Sequence, residues 1–349
     1  MGMIPYTLAG KYQTSITTYK NDQYTYMDNL LKHENFTLNY LENTGNEKED
    51  VTRYIKQNAK NIDILQLYHL RYDVLPEYVK TYKKYNKKGK IYLKLDANND
   101  IIDFLVKRKG IKPAIRRFLI KQVFNKIDLI SIETRRNYEV LQEIIPPEKL
   151  AYIPNGILGI QTPNIQKEKI ILYVGNIEKE NKSIDMLLEA ISNINLGDWK
   201  IVLIGQCTQE MKEYITDLTT RKPEMKETII LKGYMDNKEQ LATEYSKASI
   251  YTTTSKKESF GISTLEAAYH GNYIISTNVG ASPDIIKTTQ YGQIINHSQK
   301  ELEQTLQNTI NNWKTIKQDA NIIQEKVYQE YNWQKQCKKI IEKLEDRKE

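Results

Sequence analysis

The chain of 349 residues has only two cysteines, Cys207 and Cys337, which lie far apart in the sequence. Neither belongs to a Cys-x-x-Cys pair, so a disulfide framework and a cysteine-based zinc cluster are both disfavoured. The sequence also lacks an apolar run of the roughly 20 residues that a membrane-spanning helix needs. Its first residues lack the charged-then-apolar layout of a secretory leader. We therefore expect a cytoplasmic protein without a membrane span.

Short apolar runs alternate with longer helical patterns over most of the chain, whose length exceeds the usual size of one domain. Runs of this kind, bounded by Gly, Asp, Asn or Pro, are typical of buried parallel strands. The predicted strands are Ile62–Tyr68, Lys90–Leu95, Leu129–Ile132, Leu150–Ile153, Ile170–Val174, Lys200–Ile204, Ile229–Leu231, Ile250–Thr253 and Tyr273–Thr277. The predicted helices between them include Ser183–Ile194, Gln209–Leu218 and Gln299–Ile316. This alternation predicts an α/β protein with two open parallel sheets.

The domain boundary is predicted where Pro154-Asn155-Gly156 ends a strand and a polar stretch follows. We predict a first domain of residues 1–157 and a second of residues 158–330. A helical pattern begins at Ala320 and breaks near Tyr331-Asn332-Trp333. Residues 331–349 are therefore predicted to form a helix that crosses back to the first domain.

The segment Ser255–Gly271 has the residues of a ligand-binding loop followed by a helix. Gly261 precedes a helix that we predict to begin around Ser263. A glycine at this point lets a ligand approach the free N–H groups of the helix start, where the helix dipole favours a phosphate. The carboxylates of Glu258 and Glu266 can accept hydrogen bonds from sugar or ribose hydroxyls.

A simpler explanation exists for each residue of this segment. Ser263-x-x-Glu266 also fits a capping box, in which Glu266 only completes the start of the helix. Glu258 alone would be an exposed loop acid, and Gly261 an ordinary turn residue.

As a set, these residues resemble the Glu-x7-Glu signature of family 4 retaining glycosyltransferases, which have the GT-B fold of two facing Rossmann-like domains with a cleft between them. Matching positions are Glu258, Glu266, Phe260-Gly261, Ala267, Gly271 and Ser255, with Thr254 where the family usually has Pro. The resemblance implies that Glu258 contacts the donor sugar and Glu266 the ribose. It also implies that the backbone of Gly261, Thr264 and Leu265 contacts the diphosphate.

Other segments match the family in the same order along the chain, convincingly from about Leu150 onward. Ile170–Asn176 resembles the strand that opens the donor domain, and Lys182 fits a lysine that grips the diphosphate. Asn176 stands where the family usually has an arginine, and outside this context Lys182 would be an ordinary surface lysine. By resemblance, the donor-binding residues are Gly10, Gly175, Asn176, Lys182, Gly205, Gly233, Tyr234, Glu258, Phe260, Gly261, Ile262, Ser263, Thr264, Leu265 and Glu266, and the catalytic residues are Glu258, His69 and Lys182.

The first half of the chain resembles the family less. Asp63–His69 resembles the strand whose end carries the family's active-site histidine; Tyr68 occupies that position and His69 follows it. A packed structural histidine is the alternative. Gly10 resembles the glycine loop that faces the diphosphate, and the strand expected before it is either very short or truncated. Lys94-Leu95-Asp96, at a strand end, is a candidate for acceptor contact to which no role is assigned.

Residues 105–126 carry many basic side chains and no acidic ones. The basic residues are Lys107, Arg108, Lys109, Lys112, Arg116, Arg117, Lys121 and Lys126. On a helix, Ile111, Ile115, Phe118 (or Leu119) and Phe124 share one face. Two interpretations remain open: a helix that lies on an anionic membrane surface, or a solvated basic face over an ordinary core stripe.

Taken together, the resemblance implies a glycosyltransferase that moves a sugar, with retention, from a nucleotide donor, UDP-linked in our prediction, to a hydroxyl acceptor. We expect that acceptor to be a glycan or lipid-linked glycan in capsule, exopolysaccharide or cell-wall assembly. The resemblance also implies no cofactor and no obligatory metal, and the lack of an Asp-x-Asp at a strand end agrees with this. The alternatives are a sugar-nucleotide epimerase or phosphorylase of the same fold, and a non-catalytic partner subunit.

Two further classes are disfavoured by missing motifs. No Gly-x-Gly-x-x-Gly opens either predicted domain, as a nicotinamide dehydrogenase would require. The net charge of +7 is the only feature that favours a nucleic-acid ligand, so none is expected.

Overall fold

The computed structural model describes residues 2–20, 33–159 and 165–346. The chain divides into two compact units, which are described separately below. Unit 1 comprises Met1–Gly156 together with Trp333–Glu349, and unit 2 comprises Ile157–Asn332.

Unit 1 contains two parallel sheets. Its elements, in chain order, are α1 (Met3–Leu8), β1 (Thr14–Thr18), β2 (Phe36–Tyr40), α2 (Glu47–Asn58), β3 (Ile64–Tyr68), α3 (Leu75–Tyr85), β4 (Lys90–Lys94), α4 (Asn99–Val106), α5 (Ile111–Phe124), β5 (Leu129–Ile132), α6 (Arg135–Leu141) and β6 (Leu150–Tyr152). One sheet has the order β3-β4-β5-β6, and β1 and β2 form a separate parallel pair. Strands β4 and β5 are almost wholly buried, which explains their continuous apolar sequence.

Unit 2 is built around one larger parallel sheet. Its elements are β7 (Glu168–Val174), α7 (Ile184–Ser192), β8 (Lys200–Ile204), α8 (Gln209–Arg221), β9 (Ile229–Leu231), α9 (Lys238–Lys247), β10 (Ala248–Thr253), α10 (Ile262–Tyr269), β11 (Tyr273–Thr277), α11 (Ser282–Thr289), β12 (Gly292–Ile295), α12 (Gln299–Asn311), α13 (Trp313–Ile316) and α14 (Ala320–Tyr331). The last helix, α15 (Trp333–Glu345), packs against α1 in unit 1.

The strand order of the unit 2 sheet is β12-β11-β10-β7-β8-β9. The chain therefore starts in the middle at β7, runs outward through β8 and β9, and returns to add β10, β11 and β12 on the other side. This is the doubly wound Rossmann order, and its direction reverses between β7 and β10. In open sheets of this kind, ligands bind beyond the carboxyl ends of the strands at the reversal.

The nine predicted strands and the α/β class with parallel sheets are confirmed. Three short strands, β1, β2 and β12, were not predicted, because each is polar or only partly buried. The helix predicted over Gln299–Ile316 is interrupted at Asn312. The expected short strand before Gly10 is wrong, because Met3–Leu8 is a helix with Ile4 buried.

Candidate functional site

Two loops of unit 2 lie on either side of the sheet reversal. One follows β7 and contains Lys182; the other follows β10 and contains Glu258. Backbone hydrogen bonds place β7 beside β10, with Ile171 opposite Ile250. The two loops therefore lie next to each other, although 76 residues separate Lys182 from Glu258 in the sequence.

Lys182 and Glu258 form an ion pair between these loops, through Lys182 Nζ and Glu258 Oε1. About one fifth of each side chain is exposed, 20% and 21% respectively. The Ser255 hydroxyl donates to the same Glu258 oxygen at 2.9 Å. The pair is thus held in place and still accessible to a ligand.

The loop that carries Lys182 is fixed by its own acid and by the neighbouring loop. The Glu178 carboxylate accepts the N–H groups of Asn181 at 3.0 Å and Lys182 at 2.7 Å. The Asn181 amide oxygen accepts the Lys257 N–H at 3.1 Å, and its carbonyl accepts the Lys256 N–H at 2.8 Å. The position of the Lys182 ammonium is therefore set by both loops.

Helix α10 begins one residue after Gly261, which has a φ of 86°. This left-handed conformation favours glycine. The N–H groups of Thr264 and Leu265 are the first to bond within the helix, and both bond the Gly261 carbonyl. The two N–H groups before them, at the start of α10, therefore have no partner within the helix. The loop before the helix is anchored by Phe260, which is buried and whose carbonyl accepts the Ala281 N–H at 2.8 Å. These N–H groups form a surface suited to an anion.

Glu266 lies in the middle of α10 and has a different role from the predicted capping box. Its Oε2 accepts the Tyr245 hydroxyl at 3.1 Å, and burial raises the pKa of this carboxyl. Ser263 accepts the Tyr251 hydroxyl at 2.8 Å, and Gly261, not Ser263, is the N-cap residue. The capping-box alternative is therefore wrong.

The predicted glycines at the ends of β7, β8 and β9 have structural causes that the sequence did not reveal. A Cβ at Gly205 would lie 1.8 Å from the Gly175 carbonyl oxygen, and a Cβ at Gly175 would lie 2.8 Å from the Tyr173 hydroxyl. Gly233 has a φ of 68° with open space around it, and its carbonyl accepts the Gly205 N–H at 2.8 Å. At Gly175 and Gly205, whose φ angles are 152° and 146°, the backbone conformation and the close contacts both oppose a side chain.

The other residues predicted to bind the donor differ in their exposure to solvent. Asn176 is exposed, and its carbonyl accepts the Tyr173 hydroxyl at 2.9 Å. Tyr234 is 70% exposed and Ile262 57% exposed, whereas Leu265 is fully buried.

His69 and Gly10 belong to unit 1. His69 follows the last residue of β3 with a φ of 65°, so the chain has already turned at this point. Its Nδ1 lies 3.6 Å from Asp96 Oδ2, and its side chain is 41% exposed. The packed structural histidine is therefore ruled out. Gly10 lies in an exposed turn after α1 without a left-handed φ.

Comparisons with known proteins agree with this geometry. Residues 160–330 match the model of the family described as glycosyl transferases group 1. These residues belong to the glycosyl transferases group 1 family.

The chain is also similar to curated relatives and to solved structures. Over 244 residues, 68% of its length, the chain is 27% identical to an uncharacterized 41.2 kDa protein in a cps region of Klebsiella pneumoniae. Over 215 residues, 60% of its length, it is 26% identical to the phosphatidylinositol N-acetylglucosaminyltransferase gpi3 subunit of Schizosaccharomyces pombe. These matches span 60% and 46% of the two relatives.

The fold of this chain matches that of Anabaena HepE, solved in complex with UDP and glucose. The TM-score is 0.73 at 13% identity, over 99% of this chain and 95% of HepE. The predicted GT-B class, with Rossmann-like parallel sheets, is confirmed.

Several contacts around Lys182 and Glu266 were not predicted from the sequence. Glu178 and Asn181, which fix the Lys182 loop, are common polar residues in a Lys/Glu-rich stretch. Tyr245 reaches Glu266 from another helix, 21 residues away. Of these contacts, only the one made by Glu178 could have been suggested by the sequence. A carboxylate often bonds N–H groups a few residues away, and Glu178 lies three residues before Asn181.

Two kinds of feature are absent from the residues that the structure describes. No helix there is long and apolar enough to cross a bilayer. No group of three or more His, Cys, Asp or Glu residues among them could hold a metal ion.

Proposed function

We propose that this protein is a retaining glycosyltransferase that moves a sugar from a UDP-linked donor to a hydroxyl of a glycan or lipid-linked glycan. The observation that carries the proposal is the ion pair of Lys182 and Glu258, held beside the start of α10 at the sheet reversal. A cation, a carboxylate and unbonded helix N–H groups together match a diphosphate joined to a polyhydroxyl sugar. HepE, of the same fold, binds UDP and glucose, which supports the nucleotide and sugar classes.

Each group has a distinct role in this proposal. The Lys182 ammonium leaves Glu258 and neutralises the diphosphate, whose departure requires stabilisation of negative charge. Glu258 then accepts hydrogen bonds from the donor sugar, while the start of α10 faces the phosphates. The resemblance assigns this contact to the backbone of Gly261, Thr264 and Leu265, and the N–H groups of the last two bond the Gly261 carbonyl in the structure. Glu266 receives the ribose through Oε1, because Oε2 already holds Tyr245. The resemblance to family 4 supports retention of configuration and independence from a metal.

The donor proposal is tested by isothermal titration of the full chain with UDP and UDP-glucose. Lys182→Met removes the diphosphate cation, so we expect UDP affinity to fall about tenfold or more. Glu258→Gln keeps the shape of the side chain, so UDP affinity is expected to stay within about twofold while sugar transfer is lost. Lys179→Met is the matched control, because Lys179 lies in the same loop with 54% of its side chain exposed.

Two results would contradict the donor proposal. Absence of UDP binding to the unmodified chain favours a non-catalytic partner subunit. Retained transfer by Glu258→Gln refutes the role of this carboxylate. Product analysis separates transfer from epimerisation, since only transfer releases UDP and forms a new glycoside.

Helix α5 of unit 1 supports a proposal about where the enzyme acts and which kind of acceptor it uses. Ile111, Ile115, Phe118 and Leu119 are 81%, 55%, 62% and 58% exposed. The ordinary core stripe proposed as the alternative is therefore wrong for these four residues, although Phe124 is buried.

The basic residues around this apolar stripe are complementary to an anionic membrane. No acidic residue lies in 105–126, and the exposed apolar side chains would enter the headgroup boundary. Arg117 is an exception, because its guanidinium donates to the Val106 carbonyl at 2.6 Å and closes the end of α4. We propose that this face holds a cytoplasmic enzyme on an anionic lipid surface near a lipid-linked acceptor. The phosphatidylinositol-directed name of the Schizosaccharomyces relative supports such an acceptor.

Vesicle sedimentation tests this surface. The full chain is expected to bind phosphatidylglycerol-containing vesicles and not pure phosphatidylcholine vesicles. Ile115→Gln with Phe118→Gln, or Lys109→Glu with Lys112→Glu, should each abolish binding. Ile322→Gln changes an apolar residue of similar exposure, 53%, in α14 and should have no effect. Undiminished binding by either double variant refutes the membrane proposal.

A further inference from the structure

Ser183, between Lys182 and the first residue of α7, has an uncommon backbone conformation. Its φ is 50° and its ψ is 47°, in the left-handed region that residues with a side chain rarely adopt. Its side chain makes no capping hydrogen bond to α7, and the residue is 2% exposed. A conformation of this kind costs free energy and persists only where the surroundings impose it. The residues that impose it therefore also set the direction in which the chain leaves Lys182.

Two loops from other parts of unit 2 hold this conformation. The hydroxyl of Thr254, which follows β10, donates to the carbonyl of Lys182 at 2.7 Å and to that of Ser183 at 3.1 Å. His297, which lies beyond the end of β12, contacts the Ser183 hydroxyl through Nε2 at 3.0 Å. Thr254 is 0% exposed, so its hydroxyl meets these two carbonyls away from solvent.

Thr254 and Ser255 are consecutive, and each holds one member of the ion pair. The Thr254 hydroxyl bonds the backbone of Lys182. The Ser255 hydroxyl bonds the Glu258 carboxylate at 2.9 Å. The Ser255 carbonyl in turn accepts the hydroxyl of Thr277, the last residue of β11, at 2.6 Å. One short segment after β10 therefore fixes both the residue that carries the cation and the carboxylate that faces it.

The backbone of Lys182 matters because the side chain beyond it is long. A lysine ammonium lies at the end of a flexible stem, so its position is fixed only as well as the backbone from which the stem starts. The Lys182 N–H donates to Glu178 at 2.7 Å, and the Lys182 carbonyl accepts Thr254 at 2.7 Å. Both backbone polar groups of this residue are thus held before a ligand arrives. Holding a binding group in advance lowers the conformational entropy that binding removes.

We propose that Thr254 is a positioning residue, whose hydroxyl holds the backbone of Lys182 and Ser183 so that the Lys182 ammonium meets the diphosphate of the donor. The inference rests on the proposed function, since the diphosphate is the ligand of Lys182 there. The proline that the family usually has at this position has no hydroxyl, so the family pattern does not supply this contact. The competing explanation is a purely structural hydroxyl that only satisfies two buried carbonyls.

A double-mutant cycle on the full chain separates the two explanations. Its variants are Thr254→Val, which removes the hydroxyl and keeps the shape, Lys182→Met, and both together. Thr254→Ser restores a hydroxyl. Thr252→Val is the matched control, because Thr252 is fully buried in β10 and its hydroxyl has no hydrogen-bond partner among the described residues. Isothermal titration measures the affinity for UDP, and saturation-transfer NMR measures that for uridine, which has no phosphate.

We expect Thr254→Val to weaken UDP binding about fivefold, as for the loss of one hydrogen bond, and to leave uridine binding within about twofold. Thr254→Ser and Thr252→Val should bind UDP within about twofold of the unmodified chain. In the Lys182→Met background, Thr254→Val should cause no further loss, because the ammonium that it positions is absent. If Thr254→Val does not fold, Thr254→Ala, which also lacks the hydroxyl and is smaller, undergoes the same measurements.

The inference is overturned if Thr254→Val binds UDP like the unmodified chain, if it weakens uridine binding equally, or if its effect adds to that of Lys182→Met. Equal loss of UDP affinity in Thr252→Val overturns it as well. The same titrations separate it from the donor proposal. If the unmodified chain binds no UDP, the donor proposal is refuted and this inference with it. If Lys182→Met weakens UDP binding and Thr254→Val does not, the donor proposal stands and this inference alone is refuted.

Discussion

At the scale of single residues, glycines that look alike in the sequence have different physical causes. Gly205 packs against the backbone of Gly175, where a side chain would overlap a carbonyl. Gly261 has a Cβ position whose nearest atom is Thr264 Oγ1 at 3.4 Å, so its requirement comes from its φ of 86°. In the sequence both look like turn glycines. A local pattern cannot distinguish them, because it contains no information on atoms that approach from another strand.

Alanine substitutions therefore separate structure from function at these positions. We expect Gly205→Ala to lower the free energy of unfolding by at least about 3 kcal/mol, since both the clash and the left-handed φ oppose it. Gly261→Ala meets only the conformational cost of roughly 1–2 kcal/mol, but it disturbs the start of α10 and should weaken UDP binding. Urea unfolding and UDP titration measure the two effects. Equal destabilisation by the two variants would contradict the packing argument.

The buried ion pair of unit 1, between Lys94 and Glu133, supports a second prediction at this scale. Lys94→Met alone leaves Glu133 buried without its cation and should cost about 3–5 kcal/mol of unfolding free energy. The double variant Lys94→Met with Glu133→Leu removes both charges and should regain most of that loss. Urea unfolding of the single and double variants checks the difference. A double variant as unstable as the single one would show that the pair has a structural role.

At the scale of elements, apolar runs predicted the buried strands well and the edges of the fold poorly. Buried strands such as β5 and β8 have continuous apolar sequences, whereas β1 is rich in threonine and partly exposed. Helix α5 could not be assigned from periodicity, because the same spacing of apolar residues fits a core face and a surface face. Its exposed stripe became evident only from the positions of the neighbouring helices.

His270, at the carboxyl end of α10, is expected to make the stability of the fold depend on pH. His270 caps this helix, stacks on Tyr245 at 5.4 Å between ring centroids and contacts the Glu266 carbonyl through Nδ1 at 2.8 Å. Burial, and secondarily the nearby Lys167 ammonium, lowers the pKa of His270 to about 4. The imidazole is therefore neutral in the folded protein at pH 6, while the unfolded chain binds a proton below its ordinary value of 6.5.

Because the unfolded state binds more protons in this range, acidification from about pH 6.5 to pH 4 should destabilise the fold. The contribution of this one group is at most about 3 kcal/mol. His270→Phe keeps the stacked ring and removes the titration, so its stability should fall less than that of the unmodified chain between pH 6.5 and 4. Urea unfolding at several pH values measures this difference. Parallel pH profiles for the two proteins would contradict the assignment.

At the scale of the whole molecule, the resemblance singled out Lys182 and Glu258, which the structure brings into contact, but it gave no reason for that contact. Glu258 and Lys182 were predicted from spacing and order, but only the strand order β10-β7 shows why their loops are neighbours. In unit 1 the prediction was weaker, because a helix precedes Gly10 and the polar residues at the sheet edge match no continuous motif. Contacts between residues far apart in the chain, such as Lys94 with Glu133, depend on topology that local patterns do not contain.

The discontinuous make-up of unit 1 gives a prediction for the whole chain. Helix α15 buries Trp333, Cys337, Ile340 and Leu344 in unit 1, at about 1.5–3 kcal/mol for each large apolar side chain. Ending the chain at Asn332 therefore removes roughly 5 kcal/mol or more, comparable with the stability of a typical domain. Hydrogen exchange should show lost protection in β4 and β5 and retained protection in β7 and β10, since unit 2 has its own core. A chain ending at Glu345 is the control and should keep both. Equal loss of protection in the two units would show that unit 2 also depends on α15.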